Sequence, residues 1–329
     1  MSNACIDGEA LMYSNSRFNL LGFVMSRARK MLGFFVRARG RAGGFLDVRL
    51  VTVLLASVLT SGCVTAQSTY PDMVNKGDAA LARKDYPAAL DAYMKAAKRD
   101  DSWGELNVAK IYENGQGVAK SDATAAEWYQ KSADHGNPWA MNSLGSLYEE
   151  GRGVPKDLKK AADLFARSAG QENPWGIYNH GRALEGGFAG EKNQTKAIEL
   201  FQKAAAMGNV WAQYTLGEKY ASGDGLPKSD KQAVEWYRKA ADQGNVWSQY
   251  KLGLLLEGTS EVPADLPGAL AAYKKAAGQG NALAQANLGR MYESGQGVTA
   301  DRKEALRYYK QSLSNGGPAW VAARVKALQ

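Results

Sequence analysis

Histidine and cysteine are almost missing from this chain, with two of each in 329 residues. His135 and His180 leave little material for a metal centre built on imidazole, and Cys5 and Cys63 cannot make a disulfide framework. No run of eighteen apolar residues occurs, which excludes a protein with several membrane-spanning helices. No glycine loop carries the Gly-Lys-Ser/Thr ending of a phosphate cradle, and neither histidine is placed to activate a nucleophile. No catalytic residue, no resident metal and no cofactor are therefore expected. What is present is ordinary for a folded chain: 45% hydrophobic and 22% charged residues.

The net charge of +8 is unevenly spread. Residues 1–62 hold eight basic and three acidic residues, while residues 63–329 hold 33 basic and 30 acidic. The basic excess belongs mostly to the leading segment, so nucleic acid is not an expected partner. Residues 50–59, LVTVLLASVL, follow Arg49 and run into TSGC, the layout of an export signal. LTSGC, Leu59 to Cys63, resembles the lipobox of bacterial lipoproteins, with Thr60 where that pattern prefers Leu. The resemblance implies that Cys63 carries a lipid, becomes the mature N-terminus and provides the contact with the membrane. Val64, in place of an aspartate, then favours the outer membrane, facing the periplasm or the cell surface. Sixty-two residues is long for such a signal, and Met31 offers an alternative start that leaves Arg37, Arg39, Arg41 and Arg49 ahead of the apolar stretch. Residues 63–71 read as a linker.

From residue 102 the sequence repeats every 36 residues without insertion, in six copies beginning at Ser102, Pro138, Pro174, Val210, Val246 and Ala282 and closing at Gly317. Repeat position 24 is alanine in every copy, from Ala125 to Ala305, and position 28 is aromatic in every copy, from Tyr129 to Tyr309. Positions 4, 7, 8 and 11 and then 24, 27, 28, 31 and 32 have helical spacing and are read as the buried faces of two helices. Glycine at position 8, as in Gly145 and Gly217, removes bulk where two backbones meet beside the aromatic. Glycines at 14 and 16 end the first helix, and glycine at 35, followed by Asn or Gly, ends the second.

These columns carry a likeness. LG-x-x-Y, the G-x-G-V/L link and A-x-x-WY-x-KAA-x-x-GN are similar to Sel-one-like repeats, relatives of the tetratricopeptide repeat, over residues 102–317. The resemblance implies an all-α, right-handed α-solenoid of helix-turn-helix units. Residues 72–101 resemble a tetratricopeptide-type opening repeat, and residues 318–329 read as a capping helix.

Position 2 faces away from the expected core on a helical wheel. Measured from it, positions 5, 9 and 12 lie at about 300°, 340° and 280°, against about 140° to 240° for the core set. Position 2 is Trp103, Trp139, Trp175, Trp211 and Trp247, then Leu283, and position 5 supplies Tyr178, Tyr214 and Tyr250. In tetratricopeptide-like solenoids the first helices line the concave groove, so the resemblance puts an aromatic stripe there. One reading makes the stripe a binding surface, with Arg182, Glu218, Arg290 and the position-12 acids Glu113, Glu149, Glu185, Glu257 and Glu293 as a polar rim. The other makes it packing between repeats. The links at 186–192 and 258–263 depart from the pattern, and His180 stands in a column that is otherwise Leu or Val.

The expected function is a non-catalytic protein-interaction scaffold, tethered by lipid in the bacterial envelope. The alternative is a binder of carbohydrate or peptidoglycan fragments, a sugar polymer stacked on the tryptophans.

Overall fold

The computed structural model describes residues 70–190 and 192–329. The expected export signal, Cys63 and most of the linker lie outside the described residues.

Fifteen α-helices and no strand occur among the described residues. An opening pair, α1 (Tyr70–Ala82) and α2 (Tyr86–Ala97), precedes six further pairs. These are α3 (Ser102–Asn114) with α4 (Asp122–Asp134), α5 (Pro138–Glu150) with α6 (Leu158–Gly170), and α7 (Pro174–Gly186) with α8 (Gln194–Ala206). They continue with α9 (Val210–Ser222) and α10 (Asp230–Asp242), α11 (Val246–Leu256) and α12 (Leu266–Gly278), and α13 (Ala282–Ser294) and α14 (Arg302–Ser314). The closing helix is α15 (Trp320–Leu328). Each helix packs on the one before and the one after it, as in an all-α solenoid.

Local chemistry fixes both ends of each helix. Gly136 leaves α4 at φ +84°, and Asn137 then opens α5, its Oδ1 accepting from the N–H of Trp139 at 3.0 Å and of Ala140 at 3.2 Å. Asn173, Asn209, Asn245 and Asn281 do the same for α7, α9, α11 and α13. The Gly-Asn pair is thus a stop followed by a start, each cap contributing about 1 kcal/mol. Second helices are capped by Ser121, Asp157, Asn193, Ser229, Asp265 and Asp301. In the fifth copy, which lacks glycine at position 14, α11 stops two residues early and Gly258 takes the positive φ. Thr259 Oγ1 then accepts from the N–H of Glu261 and Val262, and Val262 plugs the link into the core.

Inside each pair, the position-24 alanines are wholly buried and the position-28 rings nearly so. A Cβ on Gly145 or Gly181 would lie 2.7 Å from the ring of Phe165 or Phe201, and one on Gly217, Gly253 or Gly289 would lie 2.5 Å from Tyr237, Tyr273 or Tyr309. Gly77 meets Tyr93 in the same way, so the opening pair closes by the same contact. The position-16 glycine serves the next level of packing. A Cβ on Gly153 would strike the backbone of Asp122 and Ala123, where the second link lies on the start of α4.

In every copy but the fifth, where Leu256 is buried at position 11 as expected, the buried face of the first helix differs from the expected one. Position 10 is buried in Ile111, Leu147, Ala183 and Met291, whereas position 11 is half-exposed in Tyr112, Tyr148, Leu184, Tyr220 and Tyr292. Position 3 is buried throughout, because a first helix packs both on its own second helix and on the second helix of the preceding copy. At Gly104, for example, a Cβ would meet Ala96 and Ala97 of α2. The buried arc is therefore wider than one amphipathic stripe. Position 4 is buried as expected, although mostly polar in type, at Glu105, Gln213, Gln249 and Gln285.

Gly217→Ala should cost about 1–3 kcal/mol, since the ring it meets is fully buried and hydrogen-bonded and cannot step aside. A urea midpoint unchanged from the parent, with helicity equal in both, would show that the pair can open to accept a methyl group.

Candidate binding surface on the first helices

The caps that start the first helices also place the tryptophans, because position 2 lies one residue inside each helix. The resulting column is not uniform. Trp103, Trp247 and Leu283 are 38%, 39% and 37% exposed, Trp139 and Trp211 are half-buried, and Trp175 is buried at 8%. Packing and display are thus both present, divided by position along the array. Tyr178, Tyr214 and Tyr250 are half-buried, and each tilts onto the position-28 ring of its own pair. Their ring centroids lie 5.7 Å from Phe201, 6.1 Å from Tyr237 and 6.1 Å from Tyr273. Trp211 meets Tyr214 edge-on at 6.1 Å. Burial, with Glu218 alongside, pushes the Tyr214 hydroxyl up to about 12.

The acids expected to form a polar rim are engaged inside the array. Glu113, Glu257 and Glu293 accept hydrogen bonds from Tyr129 at 2.6 Å, Tyr273 at 2.6 Å and Tyr309 at 2.8 Å. The same carboxylates pair with Arg152 at 2.9 Å, with Arg290 and with Arg324, each supplied by the next element group along. Arg182 belongs to this ladder, donating to Glu149 at 2.8 Å and to Asn179 Oδ1 at 3.2 Å. In the fourth copy position 12 is Ala221, and the acid moves back one turn to Glu218, which takes the Tyr237 hydroxyl and pairs with Lys251 at 3.1 Å. Glu185 is met by Lys219 Nζ at 2.5 Å, and Asp224 holds the same ammonium at 2.8 Å. Lys219 stands at core position 10; its burial works against the charge, but the two carboxylates outweigh it and raise the ammonium above its ordinary value.

Two features were not expected. Leu254 is 38% exposed at position 9, a column that elsewhere holds Lys110, Ser146, Arg182, Glu218 and Arg290. Its departure from a polar column was the readable signal. With Trp247 and Leu283 it forms the exposed apolar part of the fifth and sixth first helices. A recess of about 610 Å³ also borders the irregular third link, lined by Lys192, Gln194, Tyr214 and Lys219 among others. Ser248 and Lys251 have S-x-x-K spacing, but Ser248 is fully buried and Lys251 is engaged by Glu218. They therefore do not offer an accessible nucleophile and base.

The Sel1 repeat family profile matches residues 104–137, 140–173, 176–209, 212–245, 248–281 and 282–317. The chain belongs to the Sel1 repeat family. It is similar to a Sel1 repeat protein from Oxalobacter formigenes, at 31% identity and a TM-score of 0.68 over 73% of this chain and 99% of that one. It is also similar to a protective antigen of uropathogenic Escherichia coli that displays an SLR fold. That match has 30% identity and a TM-score of 0.48 over 78% of this chain and 67% of the other. An immunity protein from Pseudomonas aeruginosa matches at 27% identity and a TM-score of 0.43 over 63% of this chain and 81% of its own. No match was found among curated protein sequences. Sel1 and tetratricopeptide-like repeats generally mediate protein–protein interactions, and the fold is generally non-catalytic.

His180 is half-buried on α7, and burial, with Lys196 adding to it, holds the imidazole below its ordinary value. A depressed histidine contributes stability above its unfolded value of about 6.5, which is lost as pH falls from there toward the folded value. His180→Leu, restoring the residue of four other copies, should abolish the part of the loss in urea midpoint between pH 7.5 and 5.5 that His180 causes. Parallel pH profiles for parent and variant would show that His180 plays no part in acid sensitivity.

Proposed function

We propose that this protein is a non-catalytic protein–protein interaction scaffold that docks partners on its first-helix face and is tethered in the bacterial envelope by a lipid on Cys63. The observation that carries the docking role is the exposed apolar set Trp247, Leu254 and Leu283 on the first helices of neighbouring copies, in a solenoid whose family generally binds proteins. Large apolar side chains left in water on a rigid face are the usual anchors of an interface. The acids of that face are already paired with bases of the array, so it offers apolar area more than net charge. The tether rests on LTSGC and the apolar stretch before it, and it would leave the solenoid facing the periplasm from the outer membrane.

A pull-down from envelope extract should lose its partner when Trp247, Leu254 and Leu283 become alanine, with helicity unchanged. Trp175→Ala should instead lower stability, because that ring is buried. Partner capture that survives the triple variant would remove this face from the interaction. Tryptophan quenching by short glycans would move the reading to a sugar polymer.

The tether has its own check. Cells fed an alkyne fatty acid should label the parent and leave Cys63→Ser unlabelled and released into the soluble envelope fraction. Equal labelling of the two would overturn lipidation at this cysteine.

A further inference from the structure

Positions 4 and 34 of a copy meet where the second helix ends beside the start of the first. In the fourth and fifth copies they are neutral amides, Gln243 donating to Gln213 and Gln279 to Gln249, both at 2.8 Å. In the sixth Asn315 donates to Gln285 at 3.0 Å, and in the second Gln171 reaches the Met141 sulfur at 3.8 Å. The first copy alone has ionisable groups at both places: Glu105, 2% exposed, and His135, whose Nδ1 lies 2.8 Å from Glu105 Oε2. A third donor arrives from outside the copy. Asp100, in the link between α2 and α3, adopts a left-handed φ of +58°. One ligand atom from each of Asp100, Glu105 and His135 lies within 4.8 Å of the other two.

We propose that Asp100, Glu105 and His135 form a binding site for a divalent transition-metal ion of the Zn²⁺ or Co²⁺ type. One imidazole nitrogen and two carboxylate oxygens, with water in the remaining position, are a donor set that suits such an ion better than Ca²⁺ or Mg²⁺, which take oxygen alone. Metal–ligand bonds of about 2.0–2.2 Å place neighbouring donors about 3.3 Å apart. The His135–Glu105 pair opens by a few tenths of an ångström, and the exposed Asp100 side chain turns inward to close the third side. His135 is an exposed helix-end residue, so water can complete the shell, while Glu105 is fixed by burial. Nδ1 is then the ligating nitrogen and Nε2 carries the proton. Three elements would be joined through one ion: the α2–α3 link, the first turn of α3 and the end of α4. That junction is where the opening pair meets the first 36-residue copy.

The test uses the full chain with Cys5→Ser and Cys63→Ser, so that no thiolate accounts for binding. Zn²⁺ titration by calorimetry should give one equivalent and a raised thermal midpoint, and Co²⁺ should show the visible absorption of a low-coordinate site. Glu105→Gln with His135→Gln rebuilds the amide pair of the fourth and fifth copies, so it should fold and yet bind at least about tenfold more weakly, without the thermal rise. Asp100→Asn should weaken binding by a similar factor. Absence of binding in the thiol-free parent overturns the proposal, as does binding by either variant equal to the parent.

Discussion

A glycine pressed against an aromatic ring sets the geometry of this solenoid. In the opening pair and in five of the six copies, a first-helix glycine lies so close to the second-helix ring that a single methyl group would overlap it. The first copy has Ala109 in the same column. Close approach lets the position-24 alanines bury completely, and the ring fills the space that the small residues leave. In the 36-residue copies whose ring is tyrosine, its hydroxyl emerges beside the acid of the first helix, and that acid also binds a base from the next copy or from α15. One contact therefore governs spacing within a pair and positions the link between pairs. Partial burial makes these charge pairs more consequential than exposed ones, though each is a local fastening and not the source of the fold.

Much of this was legible in the sequence because the period is strict. Ala125 to Ala305 and Tyr129 to Tyr309 stand in unbroken columns, and helical spacing around them names two helices per copy. The buried arc of the first helix was less legible, since a helix packed on two neighbours does not show a single stripe. Position 10 holds Lys219 as well as Ile111 and Met291, so residue type misleads there, while position 4 is buried as its spacing implied although it holds Gln213, Gln249 and Gln285. Buried glutamines are tolerable there because each side-chain amide donates to a backbone carbonyl and its oxygen accepts from position 34. The acids were read as a polar rim because their partners are 16 residues away or in another copy.

The tryptophan column shows why periodicity in sequence does not fix exposure. Identical caps place Trp139 and Trp175 at identical points of α5 and α7, yet one is half-buried and the other nearly closed off. The sequence left two readings of the column, binding groove or packing between repeats, and each assigned it a single purpose. The array instead uses it as packing in the middle and display toward both ends.

The exposed apolar patch follows from a shift in the ladder. At two junctions an acid at position 12 is met by a base at position 9 of the next copy: Glu149 by Arg182 and Glu257 by Arg290. The fourth copy has Ala221 at position 12 and carries its acid one turn earlier, at Glu218, so the matching base in the fifth copy also moves one turn earlier, to Lys251 at position 6. Position 9 of the fifth copy is thereby released from holding two repeats together, and it is occupied by Leu254. A leucine at a released position has no part in the charge ladder, and it shares the first-helix face with two exposed position-2 side chains, Trp247 and Leu283. The junction is maintained by other residues while apolar area is placed in water. That separation of fastening from display favours a docking surface at the fifth and sixth copies over the middle of the array.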